Sequence, residues 1–323
     1  MFPELLAAIE DDFAAVNRTI VEQLHSRVGL AESIGHYIVE AGGKRLRPIL
    51  VLLAARSCGI RDDRHIQLAA VIEFIHTATL LHDDVVDMST LRRGRPTVNA
   101  EWNTETSVLV GDFIYSRAFQ LLVGIGDMGI MEIMADTTNR IAEGEVQQLV
   151  NKMNPDITEA GYLQVIHDKT AILFQSAAQC GARLAGAAPE TEQAFQSIGR
   201  HLGAAFQLID DALDYAGDAS AMGKNIGDDL LEGKPTMPLI HAMRNSGGAE
   251  SELIRNCIVD ADFCRGNIHR VIEIVRAGES LAHTTELALA EAAKALAALS
   301  ATPPSPYRDS LERMIKLSVE RSN

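Results

Sequence analysis

The chain has 323 residues, of which 47% are hydrophobic and only 5% aromatic, and its formal net charge is −15. Nucleic acids and anionic membranes are bound through excess lysine and arginine, so this acidic balance argues against both as main partners. Alanine and leucine are abundant and alternating apolar and polar residues are scarce, which predicts a helical protein with almost no sheet.

The four cysteines have neither CxxC nor zinc-site spacing, and this suits small buried thiols in a reducing compartment. The first residues, MFPELLAAIEDDF, are acidic where a secretory signal would be basic, and no run of eighteen apolar residues occurs. We therefore expect a cytoplasmic protein with no transmembrane segment, folded as a single domain over residues 1–323.

Residues 4–40 predict two amphipathic helices that serve as scaffold. The turn that follows, GGKRLRP at 42–48, carries three cations and leads directly into an apolar helix. Glycines let a ligand come close to the backbone, and the N-terminus of a helix favours an anion. The turn is therefore a candidate phosphate-binding site, and an ordinary basic loop is the alternative.

The rest of the chain is organised around residues 71–97. Apolar residues fall on every side of the predicted helix, which is typical of a helix buried in a bundle. Asp83, Asp84 and Asp87 stand at i, i+1 and i+4, so their carboxylates lie on roughly one face. Buried carboxylates need a neutralising cation, and hard oxygen ligands suit Mg²⁺ together with substrate phosphates. An isolated DDxxD also fits a solvated, ion-paired helix surface.

Three arginines follow the end of this helix, at 92, 93 and 95, and guanidinium groups match phosphate oxygens in bidentate geometry. Further helices are predicted at 100–124, 128–153 and 159–186. Lys169 and Thr170 interrupt an apolar face of the last of these. A lysine there either extends to solvent or reaches an anion, and its position alone favours solvent.

The DDxxD spacing recurs in QLIDDALDY at 207–215. The polar members of this segment form one helical stripe: Gln207, Asp210, Asp211 and Asp214. Two such helices facing one another would form a wall of six carboxylates that only multivalent cations could hold together. The loop 217–236, with Lys224 and Lys234, has the composition of a mobile flap that closes over phosphates.

Taken together, these motifs resemble those of the trans-isoprenyl diphosphate synthases. They occur in the same order: GGKRLRP at 42–48, LLHDDVVD and RRG at 80–94, KT at 169–170 and QLIDDALDY at 207–215. The similarity is greatest to bacterial long-chain members of the octaprenyl type. It implies an all-α single-domain helical bundle around a deep central cavity, and a homodimer. It also implies Mg²⁺-dependent condensation of isopentenyl diphosphate onto an allylic diphosphate such as farnesyl diphosphate. The product would be an all-trans polyprenyl diphosphate of about C40 for ubiquinone-type side chains.

The resemblance further implies roles for individual residues. The Mg²⁺ ligands would be Asp83, Asp84, Asp87, Asp210, Asp211 and Asp214. Isopentenyl diphosphate would be bound by Lys44, Arg47, His76 and Arg93. The allylic diphosphate would be bound by Arg92, Lys169, Thr170, Gln207, Lys224 and Lys234. Catalysis would depend on Asp83, Asp84, Asp87, Lys169, Asp210, Asp211 and Lys224.

Product length should depend on the first obstacle that the growing tail meets below Asp83. Ala78 and Thr79 precede Asp83 by five and four residues, and Ala78 stands about 7 Å lower along the helix axis. Both are small, so the tail is not stopped early. We expect the floor of the cavity lower down, at Met134, for which plain core filling is the alternative.

Three other functions stay open. A class I terpene cyclase or a head-to-head prenyl synthase would share the fold and the aspartates, but neither needs the isopentenyl diphosphate site that the 42–48 turn indicates. A shorter-chain synthase that makes geranylgeranyl diphosphate is the closest alternative, and the small residues at 78 and 79 argue against it. A non-catalytic subunit of a heteromeric synthase need not keep both aspartate motifs, whereas both are complete here.

Overall fold

A computed structural model describes residues 3–216 and 226–320. Within these ranges the chain is almost entirely helical, and two short strands, β1 (Leu91–Arg92) and β2 (Arg95–Pro96), form an antiparallel hairpin. The prediction of an all-α protein is therefore confirmed. Contacts divide the chain into two compact units, and the assignment of a single domain stays a prediction. The first unit comprises Met1–Thr138, Leu173–Gly199 and Ala297–Met314, and the second Asn139–Ile172, Arg200–Leu296 and Ile315–Asn323.

The helices up to the middle of the chain are, in order, α1 (Pro3–Leu6), α2 (Glu10–Gln23), α3 (Gly29–Glu40), α4 (Leu46–Ser57), α5 (Arg64–Val86), α6 (Val98–Glu101), α7 (Thr104–Ile125) and α8 (Met128–Asn151). Those that follow are α9 (Glu159–Ile166), α10 (Ile172–Leu184), α11 (Pro189–Ala216), α12 (Asp228–Leu231), α13 (Met237–Asn245), α14 (Gly248–Val259), α15 (Ala261–Ala277), α16 (Ser280–Ala298) and α17 (Pro306–Val319). A π-helix, His167–Ala171, joins α9 to α10.

Helix α5 is the centre of the first unit, as its apolar sequence predicts. Its residues 68–75 are all buried, and the helix packs against α2, α4 and α7. The Ser107 hydroxyl of α7 donates a hydrogen bond to the Leu81 carbonyl of α5, at 2.9 Å. Because α4 packs on α5, the aspartates at the end of α5 and the basic turn before α4 belong to the same packed group of helices.

Helix α7 is long and apolar enough to cross a membrane by length and composition alone. The core helix of a water-soluble protein passes the same test, so the observation is weak support for a membrane span. One face of α7 packs on α5, whereas Leu109 and Val123, at 66% and 70% exposure, lie on the open face.

Helices α13 to α15 enclose an apolar core in the second unit, and the C-terminal third is helical as predicted. The helix predicted over 159–186 is interrupted by the π-helix. The sequence does not reveal this interruption, because an i→i+5 turn admits one extra residue without changing the apolar composition of the segment. All four cysteines are free, and Cys180, Cys257 and Cys264 are buried, as expected of small hydrophobic residues.

Candidate active site

The first aspartate cluster lies at the C-terminal end of α5, where Asp87 is the C-cap residue. Asp83 and Asp87 are half-buried, but Asp84 is fully buried. The Arg92 guanidinium on β1 donates to Asp84 Oδ1 from Nε at 2.9 Å and from Nη2 at 2.7 Å. Asp84 therefore holds the hairpin against α5, a contact that the helical spacing alone does not show.

Burial raises the pKa of Asp84, and the neighbouring charges of Asp83 and Asp87 raise it further, while Arg92 opposes both. Over 3–216 and 226–320, no three or more His, Cys, Asp or Glu side chains are grouped so that they could hold a metal ion. Carboxylates repel one another when no cation lies between them. The donor chemistry nevertheless fits Mg²⁺, because Asp83 and Asp87 offer hard oxygen ligands. Metal ligation by all six aspartates stays a prediction.

The residues implied in isopentenyl diphosphate binding come together within the first unit. Arg47 Nη1 lies 3.2 Å from His76 Nε2, and its guanidinium stacks 4.3 Å from the centre of the Phe174 ring. Burial and the surrounding arginines lower the pKa of His76 well below its usual value. The imidazole is therefore neutral and accepts the hydrogen bond from Arg47. Lys44 is exposed.

Arg93 joins this group through the hairpin. A Cβ at Gly43, where φ is +153°, would lie 2.7 Å from Nη1 of Arg93, so the guanidinium lies directly against this glycine and would have to shift if a side chain were present. Both segments border an open cavity whose empty volume, including open solvent, is about 500 Å³. Its polar lining includes Arg45, Glu73, Asp84, Arg92, Arg93 and Arg95. Sequence reasoning assigned no role to Glu73 and considered Arg45 only as one of the three cations of the turn.

The second aspartate cluster forms a hydrogen-bonded chain within the second unit. The hydroxyl of Tyr162 and Nε2 of Gln207 both donate to Asp211, the latter at 2.7 Å. Thr170 Oγ1 donates to Gln207 Oε1 at 3.0 Å. Burial raises the pKa of Asp211 to about 8, and the charge of Asp229 adds to this effect. Tyr162 was missed by sequence reasoning, since it does not belong to the helical stripe of aspartates, and Asp229 was considered only as part of the loop 217–236.

The raised pKa of Asp211 predicts a pH-dependent stability. In the unfolded chain its carboxyl ionises near pH 4, as an ordinary aspartate does, and in the folded protein only near 8. The folded state therefore holds an extra proton between these values, and stability falls as pH rises through the window. The test is calorimetric unfolding of wild type and Asp211→Asn in EDTA, which removes metal ions. As pH rises from about 5 to 8, the unfolding temperature of Asp211→Asn should fall less than that of wild type. Equal slopes would contradict the prediction.

The interpretation that Lys169 extends to solvent is wrong. Its side chain is 19% exposed, and Nζ donates to Glu145 Oε2 at 2.6 Å and to Gln148 Oε1 at 2.8 Å. A Cβ at Gly144 would lie 2.9 Å from the backbone nitrogen of Lys169, so this glycine lets α8 approach the π-helix closely. The π-helix therefore carries both Lys169 and Thr170 toward polar partners, which is a frequent use of such a turn at functional sites.

The remaining predicted residues are less informative. Lys234 Nζ lies 2.6 Å from Glu232 Oε2, and Lys224 lies outside the described residues, as does most of the predicted flap. Ala78 and Met134 are buried at 1% and 0% exposure, and the Thr79 hydroxyl donates to the His76 carbonyl of its own helix. The role of these three in chain length stays a prediction.

Comparison with known proteins decides the family. Residues 29–275 match the polyprenyl synthetase family. The chain belongs to that family. This polyprenyl synthetase is 51% identical to the octaprenyl diphosphate synthase of Escherichia coli over 310 residues, 96% of each chain. It is 49% identical to the geranyl-diphosphate-specific all-trans-nonaprenyl-diphosphate synthase of Rhodobacter capsulatus, covering 98% of this chain and 97% of that one.

The fold of this polyprenyl synthetase is also that of solved relatives. The crystal structure of the polyprenyl synthase from Caulobacter crescentus, complexed with calcium and isoprenyl diphosphate, superposes with a TM-score of 0.95 at 42% identity. The match covers 99% of this chain and 98% of that one. The resemblance of the motifs to the trans-isoprenyl diphosphate synthases is therefore confirmed, and the chain is an enzyme of the prenyltransferase class.

Proposed function

We propose that this enzyme condenses isopentenyl diphosphate head-to-tail onto an allylic diphosphate and makes an all-trans polyprenyl diphosphate of about C40. The observation that carries the proposal is the group formed by Arg47, His76 and Arg93. It gathers positive charge at one place in a protein of net charge −15, as a second diphosphate site requires. A terpene cyclase, which takes a single diphosphate substrate, does not need this group.

The two diphosphates require different partners. Lys44, Arg47 and Arg93 would bind isopentenyl diphosphate, and the neutral His76 would keep Arg47 in place by accepting its hydrogen bond. The allylic diphosphate would be bound by Arg92, Lys169, Thr170, Gln207, Lys224 and Lys234. Lys169 would exchange one of its present partners, Glu145 or Gln148, for a phosphate oxygen. This arrangement would place the double bond of one substrate beside the allylic carbon of the other.

The six aspartates would hold Mg²⁺, which when bound neutralises the allylic diphosphate and helps it to leave. The allylic C–O bond breaks, the double bond of isopentenyl diphosphate forms the new C–C bond, and a proton leaves to the released diphosphate. The side chains of this protein contribute positioning and electrostatic stabilisation, and no covalent nucleophile is needed.

Product analysis tests the proposal directly. The purified protein is incubated with Mg²⁺, farnesyl diphosphate and labelled isopentenyl diphosphate, and a product of about eight isoprene units is expected because small residues at 78 and 79 leave the tail unobstructed. A product of four units would support a geranylgeranyl diphosphate synthase. Consumption of farnesyl diphosphate without isopentenyl diphosphate would indicate a cyclase or a head-to-head prenyl synthase, and no turnover would indicate a non-catalytic subunit.

We further propose a cytoplasmic homodimer that supplies a quinone side chain such as that of ubiquinone. The open face of α7 supports the dimer, because Leu109, Phe113 and Val123 recur on one stripe and Leu109 and Val123 are mostly exposed. Val123→Glu should convert a dimer to a monomer, as measured by light scattering after gel filtration. The matched control is Val21→Glu on α2, an apolar residue of 48% exposure outside this stripe, which should leave the mass unchanged. A dimeric Val123→Glu would contradict the use of this face.

A further inference from the structure

Glu73 is a buried carboxylate in the middle of the apolar helix α5. It is 5% exposed, and residues 68–72, 74 and 75 around it are buried and uncharged. A carboxylate buried in such surroundings is costly unless it is paired, so its presence needs a partner and a reason. It stands one helical turn before His76, on the side of α5 that borders the cavity.

Arg45 is the direct partner of Glu73. Its Nη1 lies 2.9 Å from Oε1 of Glu73, and the two side chains are only 10% and 7% exposed. Arg45 also has φ of +51° at the N-cap of α4, a left-handed conformation that is unfavourable for a residue with a Cβ. The buried ion pair therefore holds the basic turn in a shape that the backbone does not favour by itself.

The influence of Glu73 extends to two further arginines. Burial raises the pKa of Glu73, and the positive charges of Arg45, Arg47 and Arg93 oppose that rise and favour its ionised form. Arg93, like Arg45, is left-handed, with φ of +53°, and its guanidinium rests on Gly43. One buried negative charge thus lies among three guanidinium groups that come from the turn and from the hairpin. These groups would repel one another and spread apart if that charge were absent.

We propose that Glu73 is a positioning residue of the isopentenyl diphosphate site. It binds Arg45 directly and attracts Arg47 and Arg93, so that their guanidinium groups are arranged for a diphosphate before the ligand arrives. Glu73 does not touch the ligand, since two anions in contact would repel. The inference rests on the proposed function, which assigns Arg47 and Arg93 to isopentenyl diphosphate. Preorganised donors bind an anion more tightly because less ordering remains for the binding step.

The variant Glu73→Gln tests this role, because it keeps the shape of the side chain and removes the charge. The KM for isopentenyl diphosphate should rise about tenfold, whereas the KM for farnesyl diphosphate and kcat should stay within about threefold. Calorimetric titration with isopentenyl diphosphate alone, without Mg²⁺ or allylic substrate, should show a similar rise in Kd. The matched control is Glu40→Gln, which makes the same change at an exposed residue just before the basic turn and should leave both constants within about twofold.

Equal or tighter binding of isopentenyl diphosphate by Glu73→Gln would overturn the proposal, since Glu73 would then only reduce the positive charge of the site. If this variant does not fold, the double variant Glu73→Gln/Arg45→Gln removes both charges and leaves none buried alone. It should show the same loss of isopentenyl diphosphate binding, and wild-type affinity would again overturn the positioning role. Failure of the wild type to bind or elongate isopentenyl diphosphate would refute the proposed function instead, so the two failures are distinguishable.

Discussion

Asp83→Asn and Asp87→Asn should each lower kcat about a thousandfold, because each change removes a charged oxygen ligand from the predicted Mg²⁺ site where the leaving diphosphate must be stabilised. Loss of charge stabilisation in the transition state acts on kcat and is not recovered by more substrate. The measurement is incorporation of labelled isopentenyl diphosphate at saturating substrates over a series of Mg²⁺ concentrations. The concentration of Mg²⁺ at half-maximal rate should rise together with the fall in kcat.

Two controls separate this effect from a general loss of acidity. Asp136→Asn changes an exposed aspartate of α8 and should leave kcat within about twofold. Asp84→Asn should also lower kcat, but it should have a second effect, because Asp84 is ion-paired with Arg92. A rise in the KM of the allylic substrate and a loss of thermal stability are therefore expected for this variant and not for the other two. Full activity of Asp83→Asn and Asp87→Asn would refute the metal site at the end of α5.

Enlarging Ala78 should shorten the product. In the series Ala78→Val, Ala78→Phe and Ala78→Tyr, the product made from farnesyl diphosphate should fall stepwise from about eight isoprene units to about four, because the side chain lies about one and a half turns below Asp83 on the predicted path of the tail. Chromatography of the dephosphorylated products gives the length distribution. Initial rates with the first isopentenyl diphosphate should change little, since the reacting groups are not altered. An unchanged product from Ala78→Tyr would refute the descending-tail hypothesis.

The floor of the cavity needs a separate test. Met134→Ala should lengthen the product if Met134 is the floor, because the tail can then extend past it. Ile130→Ala, one turn away on α8, removes another fully buried aliphatic side chain and is the matched control. Both variants should lose stability, which thermal unfolding measures, and only Met134→Ala should change product length. Lengthening in both would mean that loosened packing, rather than the floor, sets the chain length.

The sequence by itself determined the helical fold and the composition of the site. Apolar residues on every side of 71–86 predict a buried helix, and α5 is one. The two DDxxD motifs could be recognised because residues three or four positions apart in the sequence lie on the same face of a helix. The basic turn at 42–48 could be recognised because its charge and glycines are local. These features depend on residues within a few positions of one another, which is the range over which sequence pattern controls structure.

The tertiary structure decided what these residues contact. Asp84 accepts hydrogen bonds from Arg92, and Glu73 is buried in an ion pair with Arg45. Lys169 donates to Glu145, and Gly144 permits the close approach of α8 to the π-helix that this contact needs. Tyr162 reaches Asp211 from another helix, and burial there raises the pKa of that aspartate to about 8. Each of these pairs joins separate segments of the chain, so no spacing rule predicts it. Desolvation and ion pairing depend on which surfaces meet when the helices pack, and local sequence does not contain that information.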